Sequence, residues 1–270
     1  MKKIKSPNFF WLLSALCLLV TTAGCLQKEE GCRDVNATNF AADAELDCKN
    51  CCSYPDITFQ IDHAVGDTSL RYGDTILFED KVIKFLETSF YVNGISLTGT
   101  DQPIMVSDQI TLTDQAGNTH LTTNDAEIIS RDISSFSYEI GSFSGQGNYT
   151  ELNFQLGLTD IQASTNPATV PTEHPLGPSN GLFTIPDSNY VFTRLRLVNV
   201  ENDDTLQYDL TTPLNLTLPF AVSVNRGFDL DIPIRVDYLK WIEGINFADN
   251  IGLTREIIVA NQPNAFSISE

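Results

Sequence analysis

Four cysteines near the N-terminal end of the chain have a spacing that could support chemistry. They are Cys32, Cys48, Cys51 and Cys52, and all lie within twenty-one residues. In an exported chain, which the first residues indicate below, an even number of cysteines predicts two disulfides, with three possible pairings. Adjacent cysteines are poorly placed to bridge each other, so Cys51 and Cys52 should each pair with Cys32 or Cys48. The Cys48-x-x-Cys51 spacing also occurs in redox and zinc sites, although no second pair or histidine cluster lies nearby.

The same segment is rich in side chains with hard oxygen ligands. Residues 31–54 contain almost no core-forming side chains, so we expect disulfides to hold them together as a small module. Closely spaced Asp and Asn side chains are what calcium prefers. The candidate ligands are Asp34, Asn36, Asn39, Asp43 and Asp47. Their spacing does not fit an EF-hand loop, and Asp and Asn also occupy turns for backbone reasons, so both interpretations stay open.

Motifs of catalysis are missing from the sequence. The chain has no Gly-x-Ser-x-Gly elbow, no His-Glu-x-x-His zinc motif and no phosphate-binding loop. Acidic residues are abundant, but no pair of them is spaced convincingly for glycoside hydrolysis. We therefore predict a protein that is not an enzyme.

The first residues indicate export. A basic start, Met1-Lys-Lys-Ile-Lys, precedes an apolar run from Phe9 to Val20 that is too short to span a bilayer. Small residues then lead to Cys25 and resemble a bacterial lipobox, with Thr22 where leucine is usual. This predicts a signal peptide over residues 1–24 and acylation of Cys25, which would attach the protein to a lipid bilayer. The alternative is a plain secretory signal followed by a disulfide cysteine.

A short linker over residues 25–30 follows the signal peptide. Its sequence, Leu26-Gln-Lys-Glu-Glu30, resembles the lysine-plus-acidic export signal of Bacteroidota surface lipoproteins. That resemblance implies a lipid-anchored protein of the outer membrane, displayed at the cell surface. An ordinary solvated linker would have a similar composition.

The charge balance excludes one class of partner. Without Lys2, Lys3 and Lys5, the 16 basic residues fall to 13 against 35 acidic residues, a net charge of −22. Such a surface repels phosphate backbones, so we expect no nucleic-acid binding.

From Asp56 onward the sequence is typical of β-structure. Alternating apolar residues place Ile57, Phe59 and Ile61 on one face of a strand. Roughly ten to twelve such short strands, separated by turn signals, predict an all-β fold, an antiparallel β-sandwich over residues 56–270. Short helices are expected around residues 238–242 and 253–261.

One loop of this domain is unusually long. It joins a predicted strand that ends at Gly157 to another that begins at Asn189, and it contains five prolines and His174. Proline cannot join the interior of a β-ladder. Because loops of this length are usually functional or disordered, a ligand site on the domain is expected here first.

With these stretches placed, the chain from Asp56 to Glu270 resembles the MbnP family, copper-associated β-sandwich partners of methanobactin systems. The matching segments include Phe59-Gln-Ile-Asp-His-Ala-Val-Gly66, Leu152-Asn-Phe-Gln-Leu-Gly157, Glu173-His-Pro-Leu176 and Glu256-Ile-Ile-Val-Ala-Asn261. The module at 31–54 resembles a short Cys/Asp/Asn-rich element typical of Bacteroidota surface proteins.

The resemblance implies particular site residues. His63 and His174 stand where the family has histidines implicated in copper binding. In the family, a Met-x-Trp-x-Trp-like segment follows this loop, and a dihaem partner can oxidise one of its tryptophans; here Leu182, Phe183 and Ile185 stand where the methionine and tryptophans would be expected. Kynurenine chemistry is therefore not expected here, and Trp241 is interpreted as a core residue on a helix face.

Two functions remain as hypotheses. Two imidazoles with a backbone or carboxylate oxygen could hold Cu(II), which gives a surface lipoprotein that binds copper through His63 and His174. Its partners would be a dihaem oxidase or an outer-membrane transporter. The alternative is a protein- or glycan-interaction module on the same fold, in which His63 caps a strand end and His174 only hydrogen-bonds within its loop.

Overall fold

The computed structural model describes residues 28–71, 73–130, 136–179, 182–184, 188–247 and 250–269. The predicted signal peptide, Cys25, Gly181 and Ile185 lie outside the described residues. Within the described part, no helix is long and apolar enough to cross a membrane.

Strands make up most of the regular structure. In chain order, the described strands are β1 Glu30–Gly31, β2 Leu46–Asp47, β3 Asp56–Val65, β4 Thr68–Ser69, β5 Ile76–Phe78, β6 Lys81–Gly99, β7 Ile104–Met105, β8 Gln109–Thr113, β9 Thr119–Thr123, β10 Glu127–Ser130, β11 Ser137–Ser142, β12 Gly147–Leu156, β13 Phe183–Thr184, β14 Asn189–Tyr190, β15 Thr193–Asn199, β16 Asp204–Leu210, β17 Leu214–Val224, β18 Leu230–Asp237 and β19 Phe266–Ile268.

Helices are few and short. The α-helices are α1 Asp160–Ala163, α2 Tyr238–Trp241 and α3 Ile251–Asn261, and 3₁₀ turns cover Pro167–Thr169 and Gln262–Ala265. The two C-terminal helices confirm the sequence prediction. Trp241 is fully buried, as expected of a core residue.

Two sheets pack face to face. The larger, of eight described strands, runs β16-β15-β6-β12-β17, with β5, β7 and β10 also paired to β6; the smaller, of five, runs β11-β3-β18-β19, with β4 paired to β3. Their inner faces share one apolar core, in which the rings of Phe59 and Phe154 meet edge to face with centroids 5.9 Å apart. The predicted all-β sandwich is confirmed.

Side-chain alternation explains why these segments are strands. Ile57, Phe59 and Ile61 are 0–4% exposed, while the residues between them are partly exposed. A strand that buries every second side chain gains apolar burial on one face only. The smaller sheet also holds a parallel pair, β3 with β18, which the long intervening chain makes possible.

A second apolar cluster orders the long loop, defined here as residues 158–188. In this cluster, leucines of the loop pack with aromatic side chains at one end of the sandwich. The buried members of this cluster are Tyr91, Leu112, Ala126, Leu158, Val170, Leu176, Leu182, Tyr190 and Phe192. The described part of the loop is therefore built onto a core of its own.

Candidate functional site

The long loop leaves strand β12 through a tightly fixed start. Thr159 and Gln162 form a capping box around α1, which satisfies amide groups that a helix start leaves unpaired. The Gln162 side chain also donates to the buried carboxylate of Asp125, at 3.4 Å. That carboxylate accepts the amide of Gly94 in β6, at 2.7 Å, so α1 is tied to the larger sheet.

Two consecutive turns then present His174. The amide of His174 donates to the carbonyl of Pro171 at 3.1 Å, and the amide of Gly177 donates to the carbonyl of His174 at 2.7 Å. Buried tyrosines hold the same segment from below. The Tyr91 hydroxyl donates to the carbonyl of Pro175 at 2.9 Å, and the Tyr190 hydroxyl donates to that of Leu176 at 2.7 Å.

The hydrogen bonds of His174 define its tautomer. Its Nδ1 accepts the amide of Leu176 at 3.0 Å, and an amide can only donate. The proton of a neutral ring therefore lies on Nε2, which donates to the Asn124 side-chain oxygen at 3.0 Å. Burial lowers the pKa of His174, because it disfavours the charged imidazolium.

His174 borders a cavity between the loop and both sheets. The cavity has a volume of about 160 Å³. Carboxyl groups dominate its polar lining, and the lining residues are Asp108, Asn124, Ala126, Glu127, Glu139, Ile140, Gly141, His174 and Pro175. A neutral imidazole and several carboxyl groups therefore face one small space.

The carboxyl group of Glu127 has a raised pKa. Burial, with a smaller contribution from the negative charge of Glu139, raises the pKa of Glu127 to about 7, although the Ile128 amide opposes this shift. Asp108, another lining residue, accepts the amide and hydroxyl of Ser142 with its two oxygens, both at 2.6 Å. Near neutral pH, Glu127 is thus poised between its acid and its carboxylate.

His63 lies in a different environment. It is 2% exposed on β3, and its ring stacks on Tyr238 with centroids 5.8 Å apart and planes 10° from parallel. Its Nδ1 lies 2.7 Å from the Tyr238 hydroxyl oxygen. The ring of Phe136 lies on another side, with centroids 6.4 Å apart. His63 is therefore a core residue in aromatic packing.

The structure does not bring His63 and His174 together. The cavity residue Glu139 is in register with Thr58 of β3, and His63 lies five residues further along that strand. At about 3.3 Å per residue, the cavity and His63 are about 16 Å apart along the sheet. The cavity offers one imidazole and several carboxylate oxygens, and their ligand atoms do not all lie within 4.8 Å of one another, so they could share one ion only after side-chain movement.

The remaining histidine belongs to a hairpin turn. His120 Nε2 lies 3.3 Å from a carboxylate oxygen of Asp114. Hydrogen bonds from Asn118, with smaller contributions from His120 and Ala116, hold the pKa of Asp114 at about 2. His120 is thus a partner of a turn carboxylate outside the cavity.

The cysteine module has the two disulfides that the sequence predicts. Cys32 pairs with Cys52, and Cys48 pairs with Cys51. This confirms that the adjacent cysteines bridge to separate partners. Next to Cys32, the two-residue strands β1 and β2 pair in parallel, with Glu30 opposite Leu46 and Gly31 opposite Asp47.

Several candidate calcium ligands instead support turns. Asp34 accepts the amide of Asn36 and the hydroxyl of Tyr54, both at 2.9 Å, and Asp47 accepts the amide of Arg33 at 3.3 Å. Among the described residues, the one group of at least three His, Cys, Asp or Glu with ligand atoms within 4.8 Å of one another is Cys48, Cys51 and Cys52. Calcium binding in the module stays a prediction.

Sequence reasoning missed most of the cavity. Asn124, Asp108 and Glu139 are far from His174 in the chain and show no shared motif. Glu127 did carry a signal, since a charge that opens the apolar run Glu127-Ile-Ile129 is unusual in a half-buried strand.

Leu182 and Phe183, where the resemblance in the sequence implies methionine or tryptophan, pack against apolar side chains. Leu182 is 1% exposed in the second cluster. Phe183 packs edge to face on Tyr190 with centroids 4.9 Å apart. These side chains complete the packing beneath the loop.

Comparison with known proteins shows which protein family the chain belongs to. MbnP from Methylosinus trichosporium, a solved structure, shares 12% sequence identity with it over 70% of this chain and 76% of that one, with a TM-score of 0.38. No curated protein matches it. The MbnP family model matches residues 54–260, which is most of the chain and confirms the resemblance in the sequence. The chain belongs to the MbnP family.

Proposed function

We propose that this protein is a lipid-anchored, non-enzymatic binding protein of the cell surface, and that it binds copper in the cavity beneath its long loop. His174 supplies the imidazole ligand and Glu127 and Glu139 supply carboxylate oxygens. The observation that carries the proposal is the placement of a neutral, oriented imidazole at the edge of a cavity lined by carboxyl groups.

The tautomer of His174 suits a metal ligand. Metal-binding histidines usually donate the hydrogen of one ring nitrogen to a nearby oxygen, which fixes the ring and leaves the other nitrogen for the metal. Asn124 accepts that hydrogen from Nε2. The Nδ1 lone pair now accepts the Leu176 amide, so binding at Nδ1 would cost one backbone hydrogen bond, about 1 kcal/mol.

The carboxyl groups explain why a cation suits this cavity. Glu127 and Glu139 repel each other when both are ionised, and this contributes to the raised pKa of Glu127. A cation between them would favour the ionised form. One imidazole with carboxylate oxygens is a nitrogen and oxygen donor set, so we expect Cu(II) to be preferred over Cu(I).

In this proposal, His63 stabilises the fold and does not bind copper. Its ring is stacked on Tyr238 and hydrogen-bonded within the core. Copper binding in this proposal therefore depends on His174 and not on His63. This separates two histidines that the sequence groups together.

Copper titration of residues 26–270 tests the proposal. We expect one Cu(II) per chain, at least about 100-fold weaker binding in His174→Ala, and about 10- to 100-fold weaker binding in Asn124→Ala. Glu127→Gln should also weaken binding. His120→Ala is the matched control, because it removes an imidazole outside the cavity. Unchanged Cu(II) affinity in His174→Ala would sink the proposal.

The anchor is tested separately. Cells that express the full chain and are fed a palmitate analogue should label it, whereas a Cys25→Ala variant should remain unlabelled. External protease should degrade the anchored protein on intact cells if it faces outward. An unlabelled wild type would rule out the lipid anchor and leave the copper site to be judged by titration alone.

A second function, recognition of a glycan or protein, is favoured by a groove beside the loop. The β8–β9 hairpin contacts the loop where the Gln115 amide donates to the carbonyl of Ser164 at 3.1 Å. The groove between them has a volume of about 400 Å³, and its lining is Asp114, Gln115, Ala116, Ala163, Ser164, Ser188 and Asn189. Small and hydrogen-bonding side chains suit sugar hydroxyls. Oligosaccharide binding that Gln115→Ala abolishes and His174→Ala leaves intact would support this function.

A further inference from the structure

The three-cysteine group of the module lies outside the proposed copper cavity. The sulfurs of Cys48, Cys51 and Cys52 lie within 4.8 Å of one another. Thiolates that bind one metal at about 2.3 Å stand just under about 4 Å apart. A three-thiolate metal site would form here when both disulfides open and the bonded sulfurs of Cys48 and Cys51 separate to that distance.

Contacts that do not involve sulfur hold this segment in place. The Asn39 side chain donates to the carbonyl of Cys51 at 2.6 Å and accepts the amide of Ser53 at 2.9 Å. The amide of Cys48 donates to the carbonyl of Gly31 at 3.0 Å. Both ends of the Cys48-x-x-Cys51 segment thus have hydrogen-bond partners other than the disulfide sulfurs.

The two disulfides differ in accessibility. Cys51 is exposed and is bonded to a cysteine three residues away, whereas Cys32 is 1% exposed. An external thiolate can therefore reach the Cys48–Cys51 bond first.

We propose that the module is a redox-gated site for a soft cation, Cu(I), held by the thiolates of Cys48, Cys51 and Cys52. Opening both disulfides consumes two molecules of a dithiol reductant; each gives two electrons and two protons to one disulfide and becomes a disulfide itself. The three thiols then lose their protons as they bind one Cu(I). With the disulfides closed, no thiolate is available and the site does not bind.

The ligand chemistry sets this site apart from the cavity. Thiolates suit soft cations, and a set of three suits Cu(I) better than zinc, which usually takes four protein ligands in structural sites. His174 and the carboxylates instead offer nitrogen and oxygen. In the oxidising compartments outside the cytoplasm, disulfides are the default state. Binding at the module therefore requires a reducing partner, and it would report the local redox state.

Anaerobic Cu(I) titration of residues 26–270 against a chromophoric Cu(I) chelator tests the proposal. The chain is first reduced with a phosphine, which is then removed. We expect one Cu(I) per reduced chain, a near-ultraviolet sulfur-to-copper absorption band, and neither in the oxidised chain. A Cys48→Ser/Cys51→Ser variant should lose at least about 100-fold in affinity, since two of three ligands are gone.

Two matched variants complete the test. Cys32→Ser removes the cysteine outside the group and should keep affinity within about tenfold, less than the loss expected for a true ligand. His174→Ala should leave Cu(I) binding unchanged, so failure at the module and failure at the cavity are distinguishable. The proposal is overturned if the reduced chain binds no Cu(I), if the double variant binds as well as the wild type, or if Cys32→Ser loses as much affinity as the double variant.

Discussion

The Glu127 carboxyl lies where its negative charge is disfavoured, and this predicts a pH dependence of stability. Its pKa is raised from 4.5 to about 7, chiefly by burial. The folded state then binds more protons than the unfolded state between these values, so stability falls as pH rises through that window. The contribution is complete below pH 4.5 and lost above pH 7, with an upper bound of about 3 kcal/mol.

A Glu127→Gln variant isolates this effect. Glutamine keeps an oxygen for the Ile128 amide, which lies 2.9 Å from the present carboxylate, and carries no charge. We expect the variant to match the wild type near pH 5 and to exceed its free energy of unfolding at pH 8. Urea unfolding at both pH values measures the difference, and equal values at pH 8 would contradict the raised pKa.

His63 should contribute to the stability of the folded protein, as expected of a core residue. His63→Ala leaves a cavity against Tyr238 and removes a buried hydrogen bond, so we expect a loss of about 3 kcal/mol. Tyr238→Phe, which removes only the hydroxyl partner, should cost about 1 kcal/mol. Thermal and urea unfolding give both values. A His63→Ala protein as stable as the wild type would show that His63 is not a core residue in solution.

At the scale of elements, Gly157 controls how the long loop leaves strand β12. Its φ is +108°, and an added Cβ would lie 2.7 Å from the Phe192 ring. Gly157→Ala therefore combines backbone strain with a clash inside the second core, which together cost about 3 kcal/mol. The rotation of the loop start should also disturb the His174 cavity and weaken Cu(II) binding.

Gly117→Ala is the control for this prediction. Gly117 also has a positive φ, +88°, but nothing lies within 4 Å of its added Cβ. This variant should therefore cost only the backbone strain, about 1 kcal/mol. Chemical unfolding compares the two, and equal losses would mean that the contact with Phe192 is unimportant.

Elements with local signals were predictable from the sequence, whereas their neighbours were not. The alternation of apolar residues at Ile57, Phe59 and Ile61 predicts strand β3, because a strand with one buried face has an apolar residue at every second position. The residues of its parallel partner β18 are 173 positions from those they face in β3, and no local pattern specifies that pairing. The long loop was predicted from its prolines, but its packing on Tyr91 and Tyr190 depends on contacts distant in sequence.

The candidate site shows the same division. The sequence placed His174 in a loop, which the structure confirms, but Asn124 and Glu139 reach it only through the fold. His63 looked like a ligand at a strand end. Its burial depends on Tyr238, which comes near only when β18 pairs with β3. The sequence shows which side chains could bind a ligand. Which of them lie close together depends on the fold.

At the scale of the whole molecule, the module should behave as a unit apart from the sandwich. Neither apolar core of the described residues draws a member from residues 31–54. The module approaches the sandwich at the turn of Gly227, where an added Cβ would lie 2.9 Å from the carbonyl of Ala37. Sites without shared partners contribute to stability nearly additively.

This independence predicts what removing each disulfide does. Cys32→Ser/Cys52→Ser opens a bridge between residues separated by 20 positions, which should cost the module about 3 kcal/mol. Amide exchange of Cys48 and Ser53 should then accelerate about 100-fold, while amides of β6 and β12 keep their rates. Cys48→Ser/Cys51→Ser opens a bridge with a separation of only 3 and should have a smaller effect, since short loops restrict the unfolded chain less. Faster exchange throughout the sandwich in the first variant would show that module and sandwich fold as one unit.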